Sequence, residues 1–362
     1  MSQTPFIDRL LLGAPILALL LFGLVEIAFH QAAPVLLYFF LVPVLFLTVF
    51  SAVHHAEVLA HKIGQAYGSF LLALSVTVIE VSLIVSMLFS NDAGNSEVAR
   101  DTVFAAIMIV LNGIVGLCLL IGGLRYHEQE FRARSATSAL GVLGTLSVLG
   151  LILPNFTLAV PGPLYAPAQL IFVAIMSLVL YALFLFVQMV THRGDFLDLT
   201  GSIDTPHGKA SRPQLLLSTL MLPLSLVAVV LLAELLSEPV QHSILRAGLP
   251  EALVGVIIAL IVLMPEGIAS IRAAMDNRLQ TSLNLALGSA LASLCLTIPV
   301  VALISVAMGR DLVLGLDAEH IVLLVLTLFM STLSLAMGRT TIMQGGIHLV
   351  IFGAFLTISA LP

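Results

Sequence analysis

LLALSVTVIE (71–80) and IIALIVLMPE (257–266) align without a gap. Ala73, Leu74, Val76 and Glu80 of the first equal Ala259, Leu260, Val262 and Glu266 of the second. Both strings are apolar up to a terminal glutamate, and no lysine or arginine lies close enough in either run to pair with it. A carboxylate near the centre of a membrane helix costs about 3 kcal/mol on insertion scales, so an acid kept there points to a function.

The surrounding composition supports a membrane setting. Of 362 residues, 60% are hydrophobic and only 9% charged, with a mean hydropathy of +1.15. Soluble domains carry roughly 25% charged residues, so a soluble enzyme is excluded and the surface must mostly face lipid. Net charge is −6, from 20 acids against 14 bases, which leaves no basic footprint for nucleic acid. Tryptophan is absent, so an interfacial aromatic belt rests on five Tyr and 19 Phe. Cys118 and Cys295 sit in apolar runs and read as small buried hydrophobes, not as a disulfide or a thiolate metal site.

Hydrocarbon offers the backbone no hydrogen-bond partner, so long apolar runs must be helices. Eleven runs approach the roughly 20 residues a bilayer needs: 10–29, 34–53, 67–90, 102–124, 136–154, 166–190, 214–236, 251–275, 281–308, 319–337 and 342–361. The fold class is therefore an all-α polytopic membrane protein. The first run is read as a retained helix and not a signal peptide, because Asp8 offsets Arg9 and the apolar stretch is long. With the N-terminus inside, eleven basic residues (Arg9, Lys62, Arg125, Arg132, Arg134, Arg193, Lys209, Arg212, Arg272, Arg278 and Arg339) fall on the cytoplasmic side. Only Arg100, Arg246 and Arg310 fall opposite, a strong positive-inside bias. This predicts a multi-pass protein of the inner (plasma) membrane, its N-terminus cytoplasmic and its C-terminus extracytoplasmic.

The polar stretch THRGDFLDLTGSIDTPHGKASRP (191–213) divides the remaining helices into two groups of five and reads as a cytoplasmic linker. The expected organisation is an extra helix (1–33), a first five-helix repeat (34–190), the linker (191–213) and a second repeat (214–362). Both acids fall in the second helix of their group. A further match follows one helix later, LCLLI (117–121) against LCLTI (294–298). An odd number of helices per group inserts the second copy upside down. Inverted repeats of this kind build the midplane sites of secondary transporters.

Pro265 and Gly267 flank Glu266 and predict an interrupted helix there, with a carbonyl freed one turn earlier. Two carboxylates with carbonyl and hydroxyl oxygens suit a hard cation such as Ca²⁺ or Na⁺. Helical spacing puts Thr77 on the face of Glu80 and Ser270 on that of Glu266, and the repeat alignment sets Asn112 against Ser289. These six, Glu80, Glu266, Thr77, Asn112, Ser270 and Ser289, are the candidate cation ligands. Small polar residues also serve as helix-packing contacts, and that alternative stands for the last four. Two acids buried together cannot both stay ionised when empty, so proton and cation occupancy exclude each other. Glu26 and Glu234 lie near helix ends, where they reach the interface. No GxxxxGK[ST] or nucleotide domain is present, which argues against a primary pump.

HHAEVLAHKIGQAYGSFLLALSVTVIEVSLI (54–84) and ALIVLMPEGIASIRAAMDNRLQTSLNLALGSALASLCLTIPVVAL (259–303), with AMDNRL (274–279) and NLALGS (284–289) inside the second, resemble the CAX family of the Ca²⁺:cation antiporter superfamily. The bacterial ChaA-type Ca²⁺(Na⁺,K⁺)/H⁺ antiporters are the most similar branch. The resemblance spans helices 2 to 11. It implies an eleven-helix antiporter with a dispensable first helix and one site glutamate per repeat, here Glu80 and Glu266. The family's usual Asn three residues before each acid is Thr77 and Leu263 here, and its common His after the second acid is Gly267. Fewer side-chain oxygens shift the expectation from Ca²⁺ selectivity toward Na⁺ or K⁺.

His54, His55 and His61 cluster before the third run, either as a cytoplasmic pH sensor or as a solvated turn. RYHEQEFRAR (125–134) reads as a topology-setting loop that touches anionic lipid. The functional expectation is a secondary active cation/proton antiporter that exports Ca²⁺ and/or Na⁺ (K⁺) for H⁺ by alternating access. An uncoupled channel or facilitator is the alternative. A membrane-embedded enzyme would need a nucleophile or metal cluster, and neither is evident. No cofactor is expected beyond the transported ions. The expected partners are inorganic cations, protons and the lipid bilayer, and the sequence leaves homo-oligomer formation open.

Overall fold

Apolar runs in a setting without water satisfy their backbones internally, and nearly every described residue is helical. The computed structural model describes residues 5–29, 35–63, 73–82, 84–85, 97–197, 212–246, 248, 250 and 252–361. Among these residues the chain forms eleven helical rods. They are α1 (Pro5–Phe29), α2 (Val35–Ile63), α3 (Ala73–Ser82), α4 (Val98–Met108) with α5 (Val115–Tyr126), α6 (Ala133–Ser147), α7 (Pro167–Phe186), α8 (Arg212–Arg246), α9 (Ala252–Met275), α10 (Leu279–Met308), α11 (Ala318–Leu335) and α12 (Ile342–Ala360). A π turn at Ile109–Ile114 joins α4 to α5 in one rod, and π turns at Val148–Ile152 and Val187–Thr191 extend α6 and α7. Nine rods are long and apolar enough to cross a membrane, and Phe40–Ala56 and Ala73–Ser82 give two shorter apolar stretches.

Local chemistry sets several boundaries. Pro167 opens α7 with its missing N–H at a position that needs none, and Gln169 accepts from the Ala166 N–H at 3.0 Å. Thr341 and Gln344 cap α12 reciprocally, the Thr341 N–H lying 2.9 Å from Gln344 Oε1. Gly309, left-handed at φ 62°, ends α10.

Two rods outrun the expected spans. α2 continues ten residues past the apolar run, to Ile63, so His54, His55 and His61 belong to its last turns and not to a turn before the next helix. His55 is 2% exposed, with its Nδ1 3.1 Å from Ser218 Oγ of α8, which rules out a solvated turn at that position. α8 likewise runs on to Arg246. The third expected run is described only at 73–82 and 84–85, and Asp198, Asp204 and most of the linker lie outside the described residues.

The buried apolar side chains form two cores. One gathers α1, α2 and α8 with Val76 and Ile79 of α3 and Val262 of α9. The other joins α4 through α7 and α10 through α12 with Ile84 and with Ala259 and Leu263 of α9. α3 and α9, the helices that carry the two acids, therefore lie at the seam.

The connections sort to two ends. At the linker end, β1 (Gln129–Glu130) pairs antiparallel with β2 (Arg339–Thr340), Gln129 Nε2 donates to Ala274 O at 3.0 Å, and Arg134 meets Asp195 at 3.6 Å. At the opposite end Leu164 bridges Val313, and Leu316 N–H donates to Leu151 O at 2.9 Å. There buried Arg100 faces Asp101, Glu97 and Asp317 at 2.7, 3.1 and 3.5 Å and donates to Gly315 O.

α5 and α12 cross closely because small residues let their backbones approach. A Cβ on Gly345 would sit 2.7 Å from Leu120 Cα and 2.9 Å from Gly116 O, whereas one on Gly346 meets nothing within 4 Å. Gly345→Ala should therefore cost about 1–3 kcal/mol as backbone is forced apart, and Gly346→Ala should be neutral or slightly stabilising. Thermal unfolding of the purified protein in detergent distinguishes them, a lowered midpoint being expected for the first variant alone.

Candidate cation site

Glu80 on α3 and Glu266 on α9 are each 2% exposed, and both of their helices lie at the seam between the two cores. The Ser293 hydroxyl of α10 donates to Glu80 Oε2. Glu80 Oε1 and both carboxylate oxygens of Glu266 have no hydrogen-bond partner among the described residues. Buried polar atoms are almost always paired, because leaving one unpaired costs more than the bond gains. Three such carboxylate oxygens on two helices of one seam supply oxygen ligands suited to a bound cation, or sites for protons. Cys118 and Cys295 are both buried among the apolar core side chains. A hard cation matches this oxygen set.

The other expected ligands divide. Ser270, one turn beyond Glu266, is fully buried, and its hydroxyl is also without a partner among the described residues. Thr77 is buried one turn before Glu80 and donates back to Ala73 O at 2.8 Å, so its oxygen stays in place on that face. Ser289 is buried and lines a crevice with Glu266. Asn112 goes elsewhere: its Nδ2 donates to Thr327 Oγ1 at 2.9 Å and its Oδ1 faces His348 Nδ1 at 3.0 Å. Both ends of that amide are engaged by α11 and α12.

Ser293 is the residue that sequence reasoning missed. Ser289, Ser293 and Thr297 recur at four-residue intervals and form one buried face of α10. That periodicity was available in the sequence as a signal. The alignment that sets Asn112 against Ser289 also sets Gly116 against Ser293, so Glu266 has no symmetry-related hydroxyl to meet. The expected break at Pro265 is absent, because α9 runs as one α-helix from Ala252 to Met275. Packing on both sides holds it, while the proline still removes the amide that the Ile261 carbonyl would otherwise meet. Glu26 and Glu234 are exposed on the helix surface.

A crevice of about 20 Å³, room for a water-sized guest, runs from Glu266 past Ser289, Gly288 and Tyr181 to Asn284 and Gln188. Gln188 lies in the π turn that precedes the linker, and Asn284 in the second turn of α10, so the crevice leads to the linker end. Its mouth is stitched: Asn284 Nδ2 donates to Phe196 O at 2.6 Å, and Gln280 Nε2 donates to Asn284 Oδ1 at 2.9 Å. At the opposite end Asp317, Glu319 and His320 also converge. There the Arg100 guanidinium already supplies the positive charge that a metal would bring.

A family model described as sodium/calcium exchanger protein matches residues 32–190 and 217–361. The chain is 54% identical over 314 residues to y4hA of Sinorhizobium fredii, covering 87% of this chain and 86% of that one. It is 35% identical over 313 residues to the sodium-potassium/proton antiporter ChaA of Escherichia coli, covering 85% and 84%. The crystal structure of the Ca²⁺/H⁺ antiporter YfkE matches with a TM-score of 0.72 over 99% of this chain and all of that one, at 18% identity, a likeness of fold.

The crevice is open to a chemical test. Leu285→Cys, on its wall, should be oxidised in detergent by hydrogen peroxide, a reagent little larger than water, whereas Thr297→Cys, buried deeper along α10, should stay protected like the native Cys118 and Cys295. Mass spectrometry of the treated protein reads the difference.

Proposed function

The chain belongs to the sodium/calcium exchanger protein family, and on that premise we propose that it is a secondary active cation/proton antiporter. It exchanges Ca²⁺ and/or Na⁺ (K⁺) for H⁺, with Glu80 and Glu266 binding cation or protons in competition. The observation that carries this reading is the pair of buried carboxylates with three oxygens unpaired among the described residues. Ser293, Ser270, Thr77 and Ser289 stand around them as neutral oxygen donors. Asn112 serves the site from outside its ligand set.

Alternating access follows from where the pair sits. α3 and α9 lie between two separate cores, so relative movement of the α1–α2–α8 group against the rest would open the site to one end and then the other. The two five-helix groups, 34–190 and 214–362, supply one acid each as inverted repeats, with 1–33 as an added helix and 191–213 as the cytoplasmic linker. With the N-terminus cytoplasmic and the protein in the inner membrane, the crevice beside Glu266 faces the cytoplasm, the side from which cations are exported. Leu263 and Gly267 bring no side-chain oxygen, which favours a monovalent ion over tight Ca²⁺ binding.

Everted membrane vesicles with a pH-reporting dye test the reading. Glu80→Gln and Glu266→Gln should each abolish proton movement driven by added Na⁺, K⁺ or Ca²⁺; near-normal exchange in both would overturn it. An uncoupled channel would instead carry cation current with no proton countermovement. Competition also fixes a sign for pH: protons displace the cation, so acidification raises the half-saturating cation concentration. The limit is about ten-fold per pH unit for each competing proton. Initial rates measured across pH at several cation concentrations show whether that slope exists.

A further inference from the structure

At the middle of the α4–α5 rod the helix widens into the π turn Ile109–Ile114, where the Val115 N–H reaches back five residues to Val110 O. All six residues of the turn are buried. A π turn is rare and occurs frequently at functional sites. Asn112 lies in the middle of this one and ties it to two other helices. Its Nδ2 donates to Thr327 Oγ1 on α11, and the Thr327 hydroxyl in turn donates to Met108 Sδ at 3.4 Å. With Nδ2 so used, Asn112 Oδ1 accepts from His348 Nδ1–H of α12 at 3.0 Å, which leaves His348 Nε2 to accept from Ser334 at 3.2 Å. Every polar atom of the imidazole is thus engaged in a side chain that is 0% exposed.

Side chains of α12 pack against the same turn and the residues just after it. A Cβ on Gly116 would lie 3.0 Å from His348 Cβ, and one on Gly113 would lie 3.3 Å from the Phe352 ring. On its other side the turn ends at Ile114, whose Cδ1 lies 3.2 Å from the place a Cβ on Gly267 would take. Ile114 therefore fills the space of the missing side chain next to Glu266.

We propose that His348 is a positioning residue for the cation site: through Asn112 it holds the Ile109–Ile114 turn in the register that seats Ile114 against Gly267, and so places Glu266. The inference rests on the reading of Glu266 as a cation ligand. His348 touches neither the ion nor the acid.

Three substitutions and one cycle test it in the vesicle assay, with Na⁺ and Ca²⁺ as probes. His348→Leu removes the bond to Asn112 and should raise the half-saturating cation concentration about 3–10-fold, the worth of one net hydrogen bond. Maximal rate should stay within about two-fold, since binding geometry and not turnover is disturbed. His348→Asn sets an amide donor where Nδ1–H stood and should restore nearly normal half-saturation; a defect equal to that of His348→Leu would overturn the proposal. In a double-mutant cycle, Ile114→Ala should blunt the effect of His348→Leu, because both act on the same contact. Additive effects would overturn it. So would a lowered melting midpoint with unchanged half-saturation, the outcome of a merely structural role. Glu266→Gln in the same assay separates the two claims: if it still exchanges normally, the reading of the site fails and this proposal with it. If it is inactive while His348→Leu binds cation normally, the proposal alone fails.

Discussion

A carboxylate buried in an apolar medium has to be neutralised, and in this chain the two deepest ones have no basic side chain paired with them among the described residues. The contrast lies within the same molecule. Arg100, buried at the end opposite the linker, is ringed by Asp101, Glu97 and Asp317 and stays in place as a structural cation. At Glu80 and Glu266 the neutralising charge has to come from solution, as a metal cation or as protons. A fixed arginine would stabilise the fold and end the proposed exchange. The seam between two apolar cores, the neutral hydroxyls along α10 and the narrow crevice all make sense as consequences. Each lets a mobile ion replace a built-in one without admitting bulk water.

The repeated decapeptides made the acids legible, because a lone glutamate in twenty apolar residues has few bland explanations. The eleven rods were equally legible, since hydrocarbon forces apolar runs into helices. Boundaries were less so where a helix outlives its apolar run. α2 continues through His54 and His55 because Ser218 of α8 waits for the imidazole, and Ser51 likewise meets Ser225 at 3.2 Å. Polar residues that read as a loop become a helix–helix contact once the partner helix is known. Pro265 misled in the other direction: tertiary packing carried α9 straight through it. Asn112 shows the limit of repeat alignment, which finds equivalent positions but not what a side chain faces. Its partners, Thr327 and His348, belong to helices far along the chain, and no periodicity in either run announces them.

Under the repeat alignment, the two five-helix groups also differ in ways that alignment alone hides. The first carries a π turn where α10 of the second is a plain α-helix. The second carries Ser293 where the first has Gly116, and each choice has a local reason. Serine there gives Glu80 a donor, while glycine lets α12 settle against the rod and brings His348 within reach of Asn112. The residue after the second acid follows the same logic. Gly267 leaves room for Ile114, so the space beside the second acid is filled by apolar packing from the first five-helix group.

Those differences make the two acids chemically unequal although their sequences match. Glu80 already accepts one hydrogen bond from Ser293, whereas Glu266 accepts none from a side chain and lies on the wall of the crevice. On the proposed reading, an ion arriving from the linker end meets Glu266 first, the acid that gains most from a new partner. Glu80 then completes the coordination from across the seam. Release to the other end would reverse that order, with Ser293 reclaiming Glu80 as the cation leaves. A symmetric pair would hold an ion equally from both sides. An unequal pair sets the order in which an ion meets its ligands, while the end that is open sets the side of entry. The inequality comes from one serine, one glycine and the π turn between two helices that repeat alignment treats as the same.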